Sequence, residues 1–172
     1  PVVVTREPTE GPYGQKIRAL YTRRDSASGE EELDLFLADR QEHVEQVLAP
    51  ALAQGRIVLC DRYFLSTAAD QGARGFDPEV ILQLNHFAPE PDLALLFQAP
   101  LTLGAARITS GRGEQPNDFE QLDNLRRVAT IFSTIKRSYI QPIDASGSIQ
   151  EVHHLVCEQV RPLLAAIPAV QV

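Results

Sequence analysis

The sequence predicts an α/β fold, a mainly parallel sheet flanked by helices on both faces in three layers. Two observations carry that expectation. Short, solidly apolar segments of the kind that form strands buried on both faces alternate along the chain with longer segments of helical period. Proline, glycine and polar clusters separate the two kinds, and no internal repeat is present. At 172 residues, 44% hydrophobic and 23% charged, the chain has the size and composition of one globular domain spanning 1–172.

The elements follow in order. Val2, Val3 and Val4 form a β-branched run that stops at Thr5-Arg6-Glu7-Pro8, where proline withholds a donor from the sheet. Gly11-Pro12-Tyr13-Gly14 leads into a helical stretch with Ile17, Leu20 and Tyr21 on one face, and residues 23–29 read as a polar linker. A long helical pattern runs from Glu30 to Leu52, with a break or kink expected at Pro50. Ile57 to Cys60 is a continuous apolar strand, and Asp61-Arg62-Tyr63 falls at its carboxyl end. A helix from about Ser66 is followed by a turn over Gly72 to Gly75. The next helix starts at Asp77-Pro78-Glu79, a cap followed by proline at the first helical position.

After Pro89-Glu90-Pro91 comes a third buried strand, Leu93 to Phe97, and a helix from Leu101 to Ile108. Ser110 to Asn117 is a glycine-containing polar loop, and Phe119 to Tyr139 is helical again. A short strand from Ile140 to Ile143 and an amphipathic helix from Ile149 to Leu164 close the pattern.

A formal charge of −7 argues against broad binding to nucleic acid or anionic membrane, either of which would be repelled on average. No apolar run approaches the ~20 residues that span a bilayer, so a cytoplasmic location is expected. Cys60 and Cys157 read as a reduced pair of small core residues. In open parallel sheets ligands sit beyond the carboxyl ends of the strands, which is where Arg6-Glu7-Pro8 and Asp61-Arg62-Tyr63 fall.

Four ordered segments resemble the thymidylate kinase family: Thr5-Arg6-Glu7-Pro8, Phe36-Leu37-Ala38-Asp39-Arg40, Asp61-Arg62-Tyr63 with Ser66-Thr67, and Gln71-Gly72. Ile143-Asp144-Ala145-Ser146 is similar to the family's last strand, so the likeness covers nearly the whole chain. The resemblance implies a P-loop kinase fold, a homodimer, and transfer of the γ-phosphate of ATP to dTMP with Mg²⁺. It also implies roles for particular residues. Phe36 stacks on thymine, and Arg40, one turn on and on the same helix face, donates to a base carbonyl. Arg62 grips the dTMP phosphate, and Asp61 supports the metal or the phosphate acceptor. Such parts suit phosphoryl transfer, which asks for positioning and charge neutralisation. Arg6 and Glu7 end the first strand, Pro8 stiffens the turn beside the base, and Arg18 faces the monophosphate. Ser66, Thr67 and Gln71 match polar contacts to base and sugar, although Ser66 and Thr67 serve equally well as helix caps. The loop at about 109–118 resembles the lid over the phosphates, with Arg112 as a catalytic arginine and Arg107 assisting at the ATP.

Three departures from the family's pattern stand out. The phosphate-cradling motif G-x-x-x-x-G-K-[ST] is absent, the only lysines being Lys16 and Lys136. By resemblance roughly 30 residues forming a strand, loop and helix would precede Pro1. The expectation is therefore of a truncated sequence, and of a molecule that, if it starts at Pro1, neither binds ATP usefully nor turns over and lacks a central strand. Asp70 stands where the family usually has an aromatic residue near the sugar. It could repel phosphate or accept from a 2′-hydroxyl, which opens the alternative of another nucleoside monophosphate as substrate. Gln98 stands where bacterial members often have aspartate, removing one metal-side carboxylate. Asp70 and the absent motif together raise a third reading, a non-catalytic nucleotide-binding paralogue.

Overall fold

The computed structural model describes residues 1–112 and 121–166, with backbone alone at 105 and 108–112. The chain divides into two compact units, Pro1–Glu90 with Gln115–Ile135, and Pro91–Glu114 with Lys136–Val172. Among the described residues, each contains one pair of parallel strands.

In the first unit, β1 (Val2–Arg6) pairs in parallel with β2 (Ile57–Asp61), in a register running from Val2 opposite Ile57 to Arg6 opposite Asp61. Glu7 extends the ladder by donating its N–H to the Asp61 carbonyl at 3.0 Å. A parallel pair needs a helical crossover, and the intervening chain supplies α1 (Pro12–Ala19), a 3₁₀ turn at Leu20–Thr22, a second at Arg24–Ser26, and α2 (Gly29–His43). The linker expected at 23–29 is thus partly helical. Ser28 closes it as a reciprocal cap: its Oγ accepts from Glu31 N–H at 3.1 Å, and the Glu31 carboxylate accepts from Ser28 N–H at 2.8 Å.

The expected kink at Pro50 takes a definite form. α2 passes into a π-helical turn, Val44–Leu48, before α3 (Ala49–Ala53), which carries Pro50 in its first turn. Proline has no N–H to donate to the preceding turn, and a widened turn accommodates that. Gly55 at φ 68° then ends α3 in the left-handed region, with its N–H on the Leu52 carbonyl at 2.9 Å.

After β2 come α4 (Phe64–Gly72) and α5 (Pro78–Leu84), the latter capped by Asp77, whose Oδ1 accepts from Glu79 N–H at 2.9 Å. α7 (Leu122–Thr134) packs on α4. The helix expected to reach Tyr139 stops at Thr134 because Ile135 turns extended and buries its side chain. Ile17, Leu33, Phe36, Phe64, Ala68, Ala69 and Ile81 form the apolar core. Val4 and Leu59, register partners on one face, stay 78% and 52% exposed, so burial on both faces does not hold for these strands.

In the second unit β3 (Ala94–Gln98) pairs in parallel with β4 (Ile140–Asp144), joined by α6 (Leu101–Arg112) and the chain after it, and followed by α8 (Ile149–Ala166). α6 runs through Arg112, where a loop from Ser110 is expected. The remainder of the expected lid and Phe119 lie outside the described residues. Among the described residues no helix is long and apolar enough to cross a membrane.

Candidate functional site

All the expected monophosphate-site residues lie in the first unit, on the carboxyl ends of β1 and β2 and on α1, α2 and α4. Arg107 and Arg112 belong to the second.

The centre of the first unit is Arg40, which is 1% exposed. A buried guanidinium is tolerable only when paired and hydrogen-bonded. Its Nη2 donates to Glu7 Oε2 at 2.6 Å and to Thr67 Oγ1 at 2.9 Å, and its Nη1 donates to Asn85 Oδ1 at 2.6 Å. The Tyr63 ring faces it with the guanidinium carbon 5.4 Å from the centroid. Glu7, also buried, turns its other oxygen to His43 Nδ1 at 3.0 Å, and His43 Nε2 lies 2.7 Å from Thr5 Oγ1. The residues that end β1 and α5 are thereby joined to α2 and α4 through one arginine. Two polar atoms of this region, Arg40 Nε and the Tyr63 hydroxyl, are buried without a hydrogen-bond partner among the described residues.

Phe36 lies one turn before Arg40 on α2 and is 6% exposed, packed into the core. Pro8 is buried after a cis Glu7–Pro8 bond. The chain beyond it is pinned by Asp39, whose carboxylate accepts from Thr9 N–H at 2.9 Å and Thr9 Oγ1 at 2.6 Å. α1 approaches this loop so closely that a Cβ on Gly14 would lie 1.9 Å from the Thr9 carbonyl oxygen, which explains glycine there.

Arg62 differs from Arg40 in every respect that bears on binding. Its side chain is 49% exposed. Its backbone is left-handed at φ 66°, a conformation that costs a non-glycine residue roughly 1–2 kcal/mol. Its carbonyl accepts from the Cys60 thiol at 3.0 Å, and its Nη2 donates to Asp70 Oδ2 at 2.5 Å. Burial pushes the Asp70 carboxyl up and Glu32 adds to the rise, while Arg62 and Arg24 oppose it. Burial likewise raises the Cys60 thiol to about 12, with the charge of Glu7 adding to the rise. Asp61, the last residue of β2, is exposed.

Arg6 and Arg18 meet at Glu10. Arg6 Nη2 donates to Glu10 Oε1 at 2.6 Å, and Arg18 Nη2 donates to Glu10 Oε2 at 2.8 Å and to the Thr9 carbonyl at 2.6 Å. Together they hold the Glu10 carboxyl below its ordinary range. A cleft of about 330 Å³ beside them is walled by Thr5, Arg6, Glu10, Glu42 and His43 among others. With Glu10 already on Arg6 and a second carboxylate from Glu42, it is a poor host for phosphate.

Gln71 belongs to a different cluster. It is fully buried, and its amide donates to Glu32 Oε1 at 2.5 Å. Glu32 also accepts from Arg24 at 2.9 and 2.7 Å and from Arg74 at 2.8 Å, while Gln71 Oε1 has no partner among the described residues. Ser66 is half-buried in the first turns of α4, with its N–H on the Tyr63 carbonyl. Thr67 is not a cap; its hydroxyl serves Arg40.

In the second unit Arg107 donates to the carbonyls of Ala145 at 2.6 Å and Gly147 at 3.0 Å, bracing the loop between β4 and α8. Arg112 ends α6, and its side chain lies outside the described residues.

His43, Asn85 and Glu32 escape the sequence reading, although each anchors a residue it names, and Asp39, quoted there without a role, pins Thr9. The polar residues Glu32, Asp39, Arg40 and His43 recur at helical spacing on the buried face of α2, which is the signal that marks them.

The Thymidylate kinase family profile matches residues 1–156. The thymidylate kinase of Desulfotalea psychrophila is 57% identical over 163 residues, covering 95% of this chain and 81% of that protein. This chain belongs to the thymidylate kinase family. Thymidylate kinases of Xanthomonas campestris pv. campestris strain B100 and Xanthomonas oryzae pv. oryzae strain PXO99A are 48% and 47% identical over 152 residues. In both cases the match covers 88% of this chain, and the chain spans 66% of the Xanthomonas proteins' length. Thymidylate kinases are ATP-dependent nucleoside monophosphate kinases, a class of phosphotransferase, and the α/β architecture with parallel strands agrees with that class.

Proposed function

We propose that this chain carries the dTMP site of a thymidylate kinase, which transfers the γ-phosphate of ATP to dTMP to give dTDP. The observation that carries the reading is Arg62: a half-exposed guanidinium at the carboxyl end of a parallel strand, fixed by its backbone and by Asp70, in a chain 57% identical to a thymidylate kinase. Arg62 takes the monophosphate, since an arginine fork matches phosphate oxygens. Arg40 is the rigid floor of the base site. Glu7 and Thr67 take both N–H groups of Nη2 and Asn85 takes one of Nη1, and the unpartnered Nε–H is a donor left for a base carbonyl. Phe36 supplies apolar area beside it, and Pro8 closes the turn.

Among the described residues no group of three or more His, Cys, Asp or Glu side chains forms a cage for a metal ion. The exposed carboxylate of Asp61 fits the other way of holding Mg²⁺, through one protein oxygen, water and substrate phosphates. Bound there, Mg²⁺ would neutralise charge on the phosphates. Arg112 and Arg107 are assigned to the ATP side, Arg112 stabilising charge during transfer and Arg107 acting through the loop it braces. We assign the molecule to a homodimer in the cytoplasm, as expected of the family.

The alternative of another nucleoside monophosphate as substrate rests on an acid at position 70. One Asp70 oxygen is committed to Arg62, which favours dTMP. Titration calorimetry with dTMP, dUMP and UMP tests the assignment. Affinity should be highest for dTMP and fall when Arg62 is replaced by alanine; a preference for UMP would overturn it. A coupled assay of ADP release with ATP and dTMP then tests transfer itself.

A further inference from the structure

We propose that Asp70 is a positioning residue for the phosphate grip, holding the Arg62 guanidinium aimed at the monophosphate. The inference rests on the assignment of Arg62 to the dTMP phosphate. Asp70 sits on α4 with its side chain 8% exposed, while Arg62 leaves the end of β2 with its side chain 49% exposed. The 2.5 Å contact therefore joins a buried, immobile acceptor to the tip of an otherwise mobile side chain. The contact uses one terminal nitrogen. The other donors of the five-donor fork stay available to phosphate oxygens.

Two further constraints act on the same residue from behind. The left-handed backbone sets the direction in which the Arg62 side chain leaves, and the Cys60 thiol tethers its carbonyl. With backbone and tip both fixed, the guanidinium is ordered before ligand arrives, so binding loses less side-chain freedom. The other charges acting on Asp70 are Arg24 and Glu32, and Glu32 is occupied by Arg24, Arg74 and Gln71. Arg62 is the partner that Asp70 orients. An aromatic residue at position 70 could not make this ion pair, so the arrangement belongs to this chain's own residues.

Calorimetric titration with dTMP and with thymidine, which differ only in the phosphate, separates positioning from general damage. Asp70→Ala should weaken dTMP about fivefold, the value of one side chain left to order on binding, and leave thymidine unchanged. Asp70→Asn, nearly the same shape and still an acceptor, should weaken dTMP less, and it decides the matter if the alanine variant does not fold. In an Arg62→Ala background, Asp70→Ala should change neither affinity.

Equal weakening of both ligands would assign Asp70 a merely structural role and overturn the proposal. So would tighter dTMP binding in Asp70→Ala, which would mean that the carboxylate competes with phosphate. If Arg62→Ala lowers the preference for dTMP while the Asp70 variants do not, this inference alone falls. If the wild-type chain shows no preference for dTMP over thymidine, the phosphate role of Arg62 falls and this inference with it.

Discussion

Arg40 and Arg62 carry the same chemical group and are only a helix and a strand apart in sequence, yet the fold treats them oppositely. Arg40 is enclosed and shared among Glu7, Thr67 and Asn85, whereas Arg62 reaches half into solvent with Asp70 holding one nitrogen. The difference separates two jobs that a motif runs together. One arginine fixes the shape of a binding site by tying the residues that end β1 and α5 to α2 and α4, and the other keeps donors for an anion that has yet to arrive.

The largest effect expected from this contrast is on Cys60, which sits in β2 between the two arginines. Its thiol is raised from an ordinary 9.0 to about 12, so at neutral pH its thiolate population is cut roughly a thousandfold. Native protein exposed to iodoacetamide at neutral pH and followed by peptide mass analysis should show Cys157 alkylated long before Cys60, with Cys60 catching up only in denaturant. Rapid native labelling of Cys60 would show that neither burial nor the charge of Glu7 holds its thiolate population down.

Next in size is stability. Arg40→Ala leaves Glu7 buried beside His43 with its main partner gone, a change of the kind that costs about 3–5 kcal/mol. Arg62→Ala removes a half-exposed side chain, and although it leaves the Asp70 carboxyl buried, that group already has a raised pKa and Arg24 nearby, so the loss should be the smaller of the two. Urea unfolding of the two variants should therefore separate their midpoints widely, with Arg40→Ala far the lower. Equal midpoints would mean that Arg40 does not anchor the unit. Glu32→Ala, which removes the buried acceptor shared by Arg24, Arg74 and Gln71, should resemble Arg40→Ala.

The strands and most helix starts were legible because they rest on local rules. The valine run, the apolar segments before Asp61 and Gln98, and Asp77-Pro78 as cap and first turn all appear where those rules put them. α2 was legible as a helix, and by resemblance as the carrier of Phe36 and Arg40, but not as an element with a polar buried face. Its apolar residues suggested an amphipathic element, whereas four of its six buried positions, Glu32, Asp39, Arg40 and His43, are polar. Their partners Glu7, Asn85 and Thr9 are 30 to 45 residues away, and nothing in local sequence predicts such pairings. The end of α7 was misread for the related reason that a tertiary contact at Ile135 overrides a helical pattern. Asp70 was recognisable as an unusual residue, but its role depends on Arg62 pointing back across the start of α4, which only three-dimensional placement reveals.

The smallest effect concerns the start of α2, and it asks which contacts fix the position of Arg40. Ser28 and Glu31 exchange two hydrogen bonds at the helix N-terminus, and Ser28→Ala should cost about 1 kcal/mol in urea unfolding. Phe36 and Arg40 lie about two and three turns further along, where Glu7, Thr67 and Asn85 grip the guanidinium directly. dTMP affinity measured at low temperature, where the variant remains folded, should therefore stay at its wild-type value. A loss of affinity parallel to the loss of stability would show that the capped end sets the register of the whole helix, and that the interior hydrogen bonds of Arg40 follow its placement instead of enforcing it.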